Sequence, residues 1–402
     1  MNTQSQITLS VVLALGFTMM LGPFAIDTYL PAFPLISESL GVSTHQVSLS
    51  ISIYFVGFAI GQLSGGALSD RYGRRRVLIA GLCIFSAASF FLSQIDSIEL
   101  LLLGRFLQAI GGGWTGVSVP ALVRDRVDGI QAAKLFSMIG LVSVAAPAVA
   151  PAIGSLLLAI GSWELIFISL GIYALCLLPL LAATVFRGPR KTAEKKDSIS
   201  VLSRYQSVLQ VRPAMPYIWW QTASFGGLMM FVTYASFVYQ GHYAQTRTQF
   251  VVLFACNIIA IFSANLLNRF LLNRFAPRQI MFNATCVQVL AGALLLSTAL
   301  FNLPVYFFLP SMMLYAGTLG AISPNIQACY LQYFPHAAAS AAAVLGAVQF
   351  GLGGLLSGAS NLLPETLRSV TGSIAICSLA SMYCMLWARR REAEDQCSFG
   401  NQ

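Results

Sequence analysis

Twelve long runs of apolar residues, almost free of charge, constrain this chain more than any other feature. Each is close to the roughly 20 residues that an α-helix needs to cross a bilayer. Of the 402 residues, 57% are hydrophobic and 9% are charged, whereas soluble domains carry about 25% charged residues. Because backbone groups in lipid need internal partners, we predict an all-α membrane protein with twelve transmembrane helices. The runs are 7–33, 46–68, 77–94, 99–122, 135–159, 164–186, 214–240, 248–268, 279–300, 304–327, 338–360 and 367–388.

Basic residues are divided unevenly between the connections of these spans. If both termini are cytoplasmic, 20 of the 23 lysines and arginines lie on the cytoplasmic side, while Arg247 and Arg368 lie outside. Such an excess is typical of cytoplasmic loops. We therefore expect a multi-pass protein of a bacterial inner membrane with both termini in the cytoplasm. The basic residues of the cytoplasmic side explain the net charge of +9. We therefore expect the lipid bilayer as a partner, and no nucleic acid.

The longest polar stretch, RGPRKTAEKKDSIS (187–200), separates two sets of six spans. It is rich in lysine and has no apolar periodicity, which indicates a solvated linker. We predict four regions: an N-terminal six-helix bundle at 1–186, a cytoplasmic linker at 187–213, a C-terminal six-helix bundle at 214–390, and a cytoplasmic tail at 391–402.

A weak internal repeat relates the two sets of spans. SDRYGRRRVL (69–78) and NRFAPRQIM (273–281) join the second to the third span of each half. Arg71 matches Arg274, and Arg75 matches Arg278, with the same difference in residue number (274 minus 71, 278 minus 75). Two six-helix repeats predict a transporter whose halves rock around a central site.

Away from the span ends, Asp27 is the only acidic residue within a span and Arg105 is the only basic one; Glu164 falls at the outer start of its span. Asp27 and Arg105 each lie six residues, roughly 9 Å, inside the outer end of their span (33 minus 27, 105 minus 99). Intramembrane charge costs roughly 3 kcal/mol or more, so it is kept for a partner or a function. Burial favours the neutral acid, a nearby guanidinium favours the carboxylate, and arginine itself stays protonated. We therefore assign proton coupling to Asp27 and Arg105; the alternative is a permanent pair that locks two helices.

Four segments resemble the motifs of one transporter family. GALSDRYGRRRVL (66–78) is similar to the loop motif of the major facilitator superfamily, and RFLQAIGGG (105–113) to its fourth-helix motif, with Ala109 replacing a glycine. APAVAPAIG (146–154) resembles the fifth-helix antiporter motif, with Ala150 replacing a glycine. DTYLPAFP (27–34) is similar to the signature of the Bcr/CflA group of drug:proton antiporters. The resemblance covers all twelve spans. It implies the major facilitator fold and proton-coupled export of small amphiphilic, drug-like compounds by alternating access.

The loop motif implies a conformational gate that includes Asp70, Arg71, Gly73 and Arg74. Asp70 ends its own helix, where the macrodipole disfavours a carboxylate. The family pattern therefore implies a partner elsewhere, at the start of the eleventh span near 338–341. The alternative is an ordinary solvated loop charge.

Two prolines in the fifth span, Pro147 and Pro151, complete the expected gate. Each removes an internal hydrogen bond and bends the helix. Bending during transport agrees with the antiporter-motif resemblance. A static kink explains the same residues equally well.

Substrate contacts are harder to read from the sequence. Transporter pockets lie near the midplane at the interface of the repeats, so aromatic and neutral polar residues of central spans are candidates. One acid among many aromatic residues suits amphiphilic, neutral or weakly cationic compounds, although packing against lipid or other helices explains each aromatic residue at least as well. The candidates are Tyr54, Trp114, Phe231, Tyr234, Asn257, Asn325 and Gln349.

Other classes of function fit the sequence less well. A proton-coupled solute symporter on the same fold is the alternative to export. An enzyme would need a cluster of titratable groups, yet His45, His242 and His336 fall in or near loops. No G-x-x-x-x-G-K-[ST] loop for ATP occurs. The cysteines read as apolar filler, so we expect no metal site and no cofactor, and we expect a monomer.

Overall fold

The computed structural model describes residues 9–124, 129–186, 201–334, 338–360 and 362–399, apart from some individual side chains such as that of Asp70. All regular structure in this part of the chain is helical. The helices are α1 (Leu9–Asp27), α2 (Phe33–Leu40), α3 (Thr44–Tyr72), α4 (Arg74–Leu92), α5 (Ile98–Arg124), α6 (Gly129–Ile160), α7 (Glu164–Thr184), α8 (Val201–Leu209), α9 (Met215–Ser236), α10 (Arg247–Leu271), α11 (Pro277–Leu300), α12 (Val305–Leu331), α13 (Ala338–Ser360) and α14 (Leu367–Phe399).

Membrane-spanning helices account for most of the described chain. Eleven stretches in it are long and apolar enough to cross a bilayer, and α6 contributes the shorter apolar stretch Val149–Ile160 within its 32 residues. A π-helical segment, Phe237–His242, continues α9. The predicted all-α membrane fold with twelve transmembrane helices is confirmed.

The chain forms two compact units, Met1–Val201 and Leu202–Gln402. The first contains α1–α7 and the second contains α9–α14. Of the region expected to be a solvated linker, 187–200 lies outside the described residues. After this stretch, Val208 of α8 is buried in the core cluster of the second unit that also contains Tyr217, Tyr330 and Met385. An apolar side chain on a short helix gains more by packing than by solvation.

The repeat seen in the sequence is also present in the structure. Helices α3 and α10 begin at Thr44 and Arg247, and helices α4 and α11 begin at Arg74 and Pro277. The difference in residue number is the same for both pairs (247 minus 44, 277 minus 74). This amount is also the one that relates Arg71 to Arg274 in the sequence.

The two units also begin equivalent helices in the same way. Both α3 and α10 start with a capping box, Ser43–Gln46 and Thr246–Gln249. Side-chain and backbone bonds exchanged in this box satisfy free N–H groups at a helix start. The units therefore share local structure as well as helix count.

Close helix packing follows the same repeat. Gly113 of α5 lies against the backbone of Phe58 and Gln62 on α3. Gly320 of α12 lies in the same way against Ile261 and Asn265 of α10. Small residues allow such close approach of helices in lipid. These contacts align α10 with α3 by adding 203 to the residue number (261 minus 58), and α12 with α5 by adding 207 (320 minus 113).

Candidate functional site

The first span breaks directly after Asp27, and Pro31 explains why. A proline ring cannot donate a backbone hydrogen bond and clashes with the carbonyl four residues earlier, which here belongs to Asp27 (31 minus 4). Helix α1 therefore ends at Asp27, and a 3₁₀ turn follows at Leu30–Ala32 before α2. The span continues to Leu40 rather than ending near residue 33. Asp27 thus lies at a helix end in the interior of the span, farther from its outer end than the sequence indicated.

Helix α6 packs directly against this break. Gly154 faces the backbone of Thr28, the residue after Asp27, and a Cβ atom at Gly154 would collide with the Thr28 carbonyl oxygen. Gly154 is the last residue of the segment that resembles the antiporter motif, and Pro151 lies buried one turn before it. The motif helix is thereby held against the backbone that carries the acid.

This contact gives a testable expectation for Gly154→Ala. Alanine favours a helix over glycine by about 1 kcal/mol, but here the added methyl group must push α6 away from Thr28, and overpacking costs about 1–3 kcal/mol. We expect a lower unfolding temperature and slower transport. The matched control is Gly372→Ala in α14, where the methyl group meets no heavy atom within 4 Å. Unchanged unfolding and transport in Gly154→Ala would contradict the close contact.

Arg105 binds the end of the broken helix. Its Nη1 donates to the carbonyl oxygen of Ala25, at 2.9 Å, and to Oε1 of Gln108, at 2.6 Å. The last carbonyls of a helix have no partner within the helix, and the macrodipole makes that end negative. The guanidinium therefore caps α1 two residues before Asp27. Gln108 stands on the same face of α5, one turn after Arg105.

Aromatic rings surround the guanidinium, which is fully buried. Its central carbon lies 4.4 Å from the ring centre of Tyr54 and 4.8 Å from that of Tyr29. Phe167 of α7 stands 6.0 Å away. Desolvated cation–π contacts of this kind are worth about 2 kcal/mol. They offset part of the cost of burying the charge.

Hydrogen bonds extend from the guanidinium across α5 to α4. Nε2 of Gln108 donates to Oγ of Ser89 at 2.7 Å, and Ser89 donates to the Phe85 carbonyl oxygen at 2.7 Å. Both Gln108 and Ser89 are buried. The network fixes the position of Arg105, because moving it would leave these polar groups unpaired in the core.

Asp27 does not form the expected pair with Arg105. The carboxylate is 6% exposed, and among the described residues nothing forms a hydrogen bond or ion pair with it. Nε and Nη2 of Arg105 also make no hydrogen bond there. In this structure Arg105 therefore binds the backbone two residues before Asp27, at Ala25, and does not form a salt bridge with the carboxylate. A permanent Asp27–Arg105 lock does not describe this state.

The second unit lacks a counterpart to this charge. The residue equivalent to Arg105 is Met312 (105 plus 207), which is fully buried. Gln108 corresponds to Tyr315, whose hydroxyl donates to the Ser224 carbonyl oxygen. The equivalent of Tyr54 is Asn257 (54 plus 203). The charged network is therefore specific to the first unit.

The expected gate residues are described to different extents. Arg71 stacks on Tyr72, with 5.2 Å from its central carbon to the ring centre. Gly73 joins α3 to α4 with φ of 90°, a conformation that favours glycine. Arg74 begins α4. The side chain of Asp70 lies outside the described side chains, as do residues 335–337 of the connection before α13. Pro147 and Pro151 both lie within α6.

The seven substrate candidates do not meet in one site within either unit. Tyr54 is one of the aromatic rings around Arg105, and its hydroxyl group has no hydrogen-bond partner among the described residues. Trp114 donates from Nε1 to Oγ of Ser64 at 3.0 Å and packs against Gly65 and Gly81. Trp114 thus acts as packing between α3, α4 and α5.

In the second unit, Phe231 and Asn257 lie in an aromatic core. Nδ2 of Asn257 donates to the Tyr239 hydroxyl at 3.3 Å, and the rings of Phe231 and Tyr239 are 5.8 Å apart. Tyr234 accepts a hydrogen bond from Ser360 and lines a cavity of about 10 Å³, room for one water. Asn325 donates to Asn268 at 2.7 Å.

Gln349 belongs to a polar cluster that the sequence analysis missed. Nε2 of Gln221 donates to Oε1 of Gln349 at 3.1 Å and to Oγ of Ser323 at 3.0 Å. Three neutral polar residues from α9, α12 and α13 thus meet within apolar helices. Tyr29, Gln108 and Ser89 of the first unit were also not predicted as site residues. Gln108 was visible in the Arg-x-x-Gln motif, because a spacing of three places it on the face of Arg105.

Comparison with known proteins agrees with this architecture. Residues 15–358 match the sequence profile of the Major Facilitator Superfamily. The Bicyclomycin resistance protein homolog of Haemophilus influenzae is 30% identical over 98% of this chain and 100% of its own length. The Multidrug resistance protein MdtL of Klebsiella pneumoniae (strain 342) is 29% identical over 70% of this chain and 71% of its own length. These names agree with the resemblance to the Bcr/CflA group.

Solved structures show the same fold. The crystal structure of a D-xylose-proton symporter has a TM-score of 0.75 and 14% identity, covering 94% of this chain and 96% of its own. The nucleoside transporter NupG gives a TM-score of 0.72 at 14% identity, covering 95% and 99%. The chain is not of an enzyme family: it is a transporter that belongs to the major facilitator superfamily.

Proposed function

We propose that the protein exports small amphiphilic, drug-like compounds in exchange for protons, by alternating access. One observation supports this proposal most directly: the buried carboxyl group of Asp27 stands at a helix break and has no partner among the described residues. It lies two residues after Ala25, whose carbonyl oxygen binds Arg105. Relatives that bear the names of bicyclomycin and multidrug resistance proteins support export and the substrate class. The aromatic residues of the spans suit amphiphilic compounds.

Proton coupling follows from two states of Asp27. A carboxyl group in an apolar site without a partner is favoured in its neutral form. When the proton leaves, the carboxylate needs donors, and Nε and Nη2 of Arg105 are buried N–H groups without partners among the described residues. We infer that ionised Asp27 turns toward them. Because Arg105 is fixed by Ala25 and Gln108, the movement falls on the break between Asp27 and Leu30 and on α6 packed against it.

The remaining assignments belong to the same proposal. Asp70, Arg71, Gly73 and Arg74 form the gate, with bending of α6 at Pro147 and Pro151. Substrate contacts come from the predicted set, to which we add Gln221 beside Gln349. The transporter works as a monomer in a bacterial inner membrane with cytoplasmic termini. The functional bundles are 1–186 and 214–390, joined at 187–213 and followed by the tail 391–402.

Imposed gradients distinguish export from symport. In vesicles with an acidic lumen, an antiporter accumulates external substrate as protons leave, whereas a symporter carries internal substrate out with them. We expect accumulation that collapses when a protonophore removes the gradient. A panel of amphiphilic compounds tested in cells with and without the protein supplies the substrates. Outward transport of substrate together with protons from an acidic lumen would favour symport and overturn the proposal.

A further inference from the structure

A large groove in the second unit has no role in the proposed coupling. Its volume is about 480 Å³, and it lies between α10, α11 and α12. The lining is mainly apolar, and it opens at the surface, since Leu267 is 56% exposed and Phe275 42% exposed. Lining residues include Ala260, Leu267, Ala284, Leu314, Thr318 and Ala321.

The equivalent place in the first unit is filled by Trp114. Its indole lies against Gly65 and Gly81 and donates to Ser64. In the second unit, Trp114 corresponds to Ala321 (114 plus 207), Ser64 to Leu267 (64 plus 203) and Gly81 to Ala284 (81 plus 203). Those three residues all line the groove. The groove therefore exists because alanine stands where the first unit has tryptophan.

Basic residues border one end of the groove. Leu271, Phe275 and Ile280 line that end, and they bracket the turn from α10 to α11. Arg274 immediately precedes Phe275 and is exposed, and Arg278 lies in the first turn of α11. The start of α11 has no side-chain cap, so its N–H groups and positive dipole end favour an anion. An apolar groove thus ends at a site that favours negative charge.

We propose that this groove binds an anionic phospholipid, with one acyl chain between α10 and α11 and the phosphate at the turn that carries Arg274 and Arg278. The apolar lining matches an acyl chain, while basic pockets at the cytoplasmic ends of transmembrane helices bind anionic headgroups. Groove size alone would also admit a drug-sized molecule. The arginines and the helix N-terminus favour the phospholipid, because they attract an anionic headgroup, whereas the proposed substrates are neutral or weakly cationic.

Native mass spectrometry of the full chain tests the proposal. Purified protein is titrated with phosphatidylglycerol, and with zwitterionic phosphatidylcholine as the comparator. We expect the wild type to retain one phosphatidylglycerol. Ala321→Trp fills the groove as Trp114 does in the first unit, and it should lower that retention at least tenfold. Arg274→Gln should lower retention of phosphatidylglycerol several-fold without changing that of phosphatidylcholine.

Two further variants keep the test decisive. Leu290→Trp adds the same indole to α11 at an exposed position that does not line the groove, and it should retain lipid as the wild type does. Ala284→Leu narrows the groove from α11 and carries the test if Ala321→Trp fails to insert. Equal phosphatidylglycerol retention in Ala284→Leu and the wild type would overturn the proposal. Equal retention of phosphatidylglycerol and phosphatidylcholine by the wild type would also overturn it. The same holds if the wild type binds the cationic amphiphile tetraphenylphosphonium and Ala321→Trp abolishes that binding.

Discussion

An Asp27→Asn variant is expected to bind substrate but to lose all accumulation driven by a pH gradient. Asparagine keeps the volume of the side chain at the helix break but cannot exchange a proton. Substrate binding should also lose its dependence on pH, because in our account Asp27 is the group that titrates when the site opens. Accumulation in vesicles with an acidic lumen measures the first effect, and binding at several pH values measures the second.

The control for this variant is the same substitution at a solvated position. Asp96 is exposed, in the connection between α4 and α5. Asp96→Asn should transport at the wild-type rate. If Asp27→Asn still concentrates substrate against its gradient, the coupling acid lies elsewhere in the chain.

Replacing Arg105 should have a second large effect, on both stability and transport. Arg105→Ala removes two charge-assisted hydrogen bonds, to Ala25 and Gln108, for which we expect a loss of about 3 kcal/mol in the free energy of unfolding. It also removes the positive charge bound at the end of α1, so Asp27 holds its proton more tightly. Transport should fall at least tenfold, and the remaining activity should move to higher pH, where the proton can still leave.

Arg105→Lys separates charge from geometry. Lysine keeps the positive charge but lacks the planar group that stacks between Tyr29 and Tyr54. We expect its pH profile to return toward that of the wild type while its unfolding temperature stays low. Thermal unfolding of the purified protein and transport rates at a series of pH values measure the two effects. A pH profile in Arg105→Ala identical to that of the wild type would show that the guanidinium does not influence Asp27.

The sequence predicted the fold well because lipid imposes a simple rule on apolar runs. Helix length, basic loops and the internal repeat that pairs Arg71 with Arg274 each depend on residue type and spacing alone. The break after Asp27 was also encoded, since Pro31 stands four residues later. Continuation of the span to Leu40 depends on the restart of helix at Phe33–Leu40, which apolar content alone does not indicate.

The partner of Arg105 could not be predicted in the same way. Sequence spacing gives the depth of a residue along its helix, and equal depths indicated that Asp27 and Arg105 are neighbours. Which atoms meet depends on helix rotation and on which carbonyl groups are free. Here the broken helix frees the carbonyl of Ala25, and that oxygen accepts the bond expected for Asp27. The substrate candidates stay a prediction for a related reason: an aromatic residue such as Phe231 or Trp114 packs equally well in a core.

In the proposed mechanism, protons cross the membrane through Asp27 during export. Vesicles that contain the protein and a trapped pH-sensitive dye measure this directly when substrate is added outside an acidic lumen. For the wild type we expect the lumen to become alkaline as substrate enters. For Asp27→Asn we expect no substrate-dependent change in luminal pH, at equal protein content. Substrate-dependent alkalinisation of the lumen by Asp27→Asn at the wild-type rate would show that Asp27 does not carry the protons.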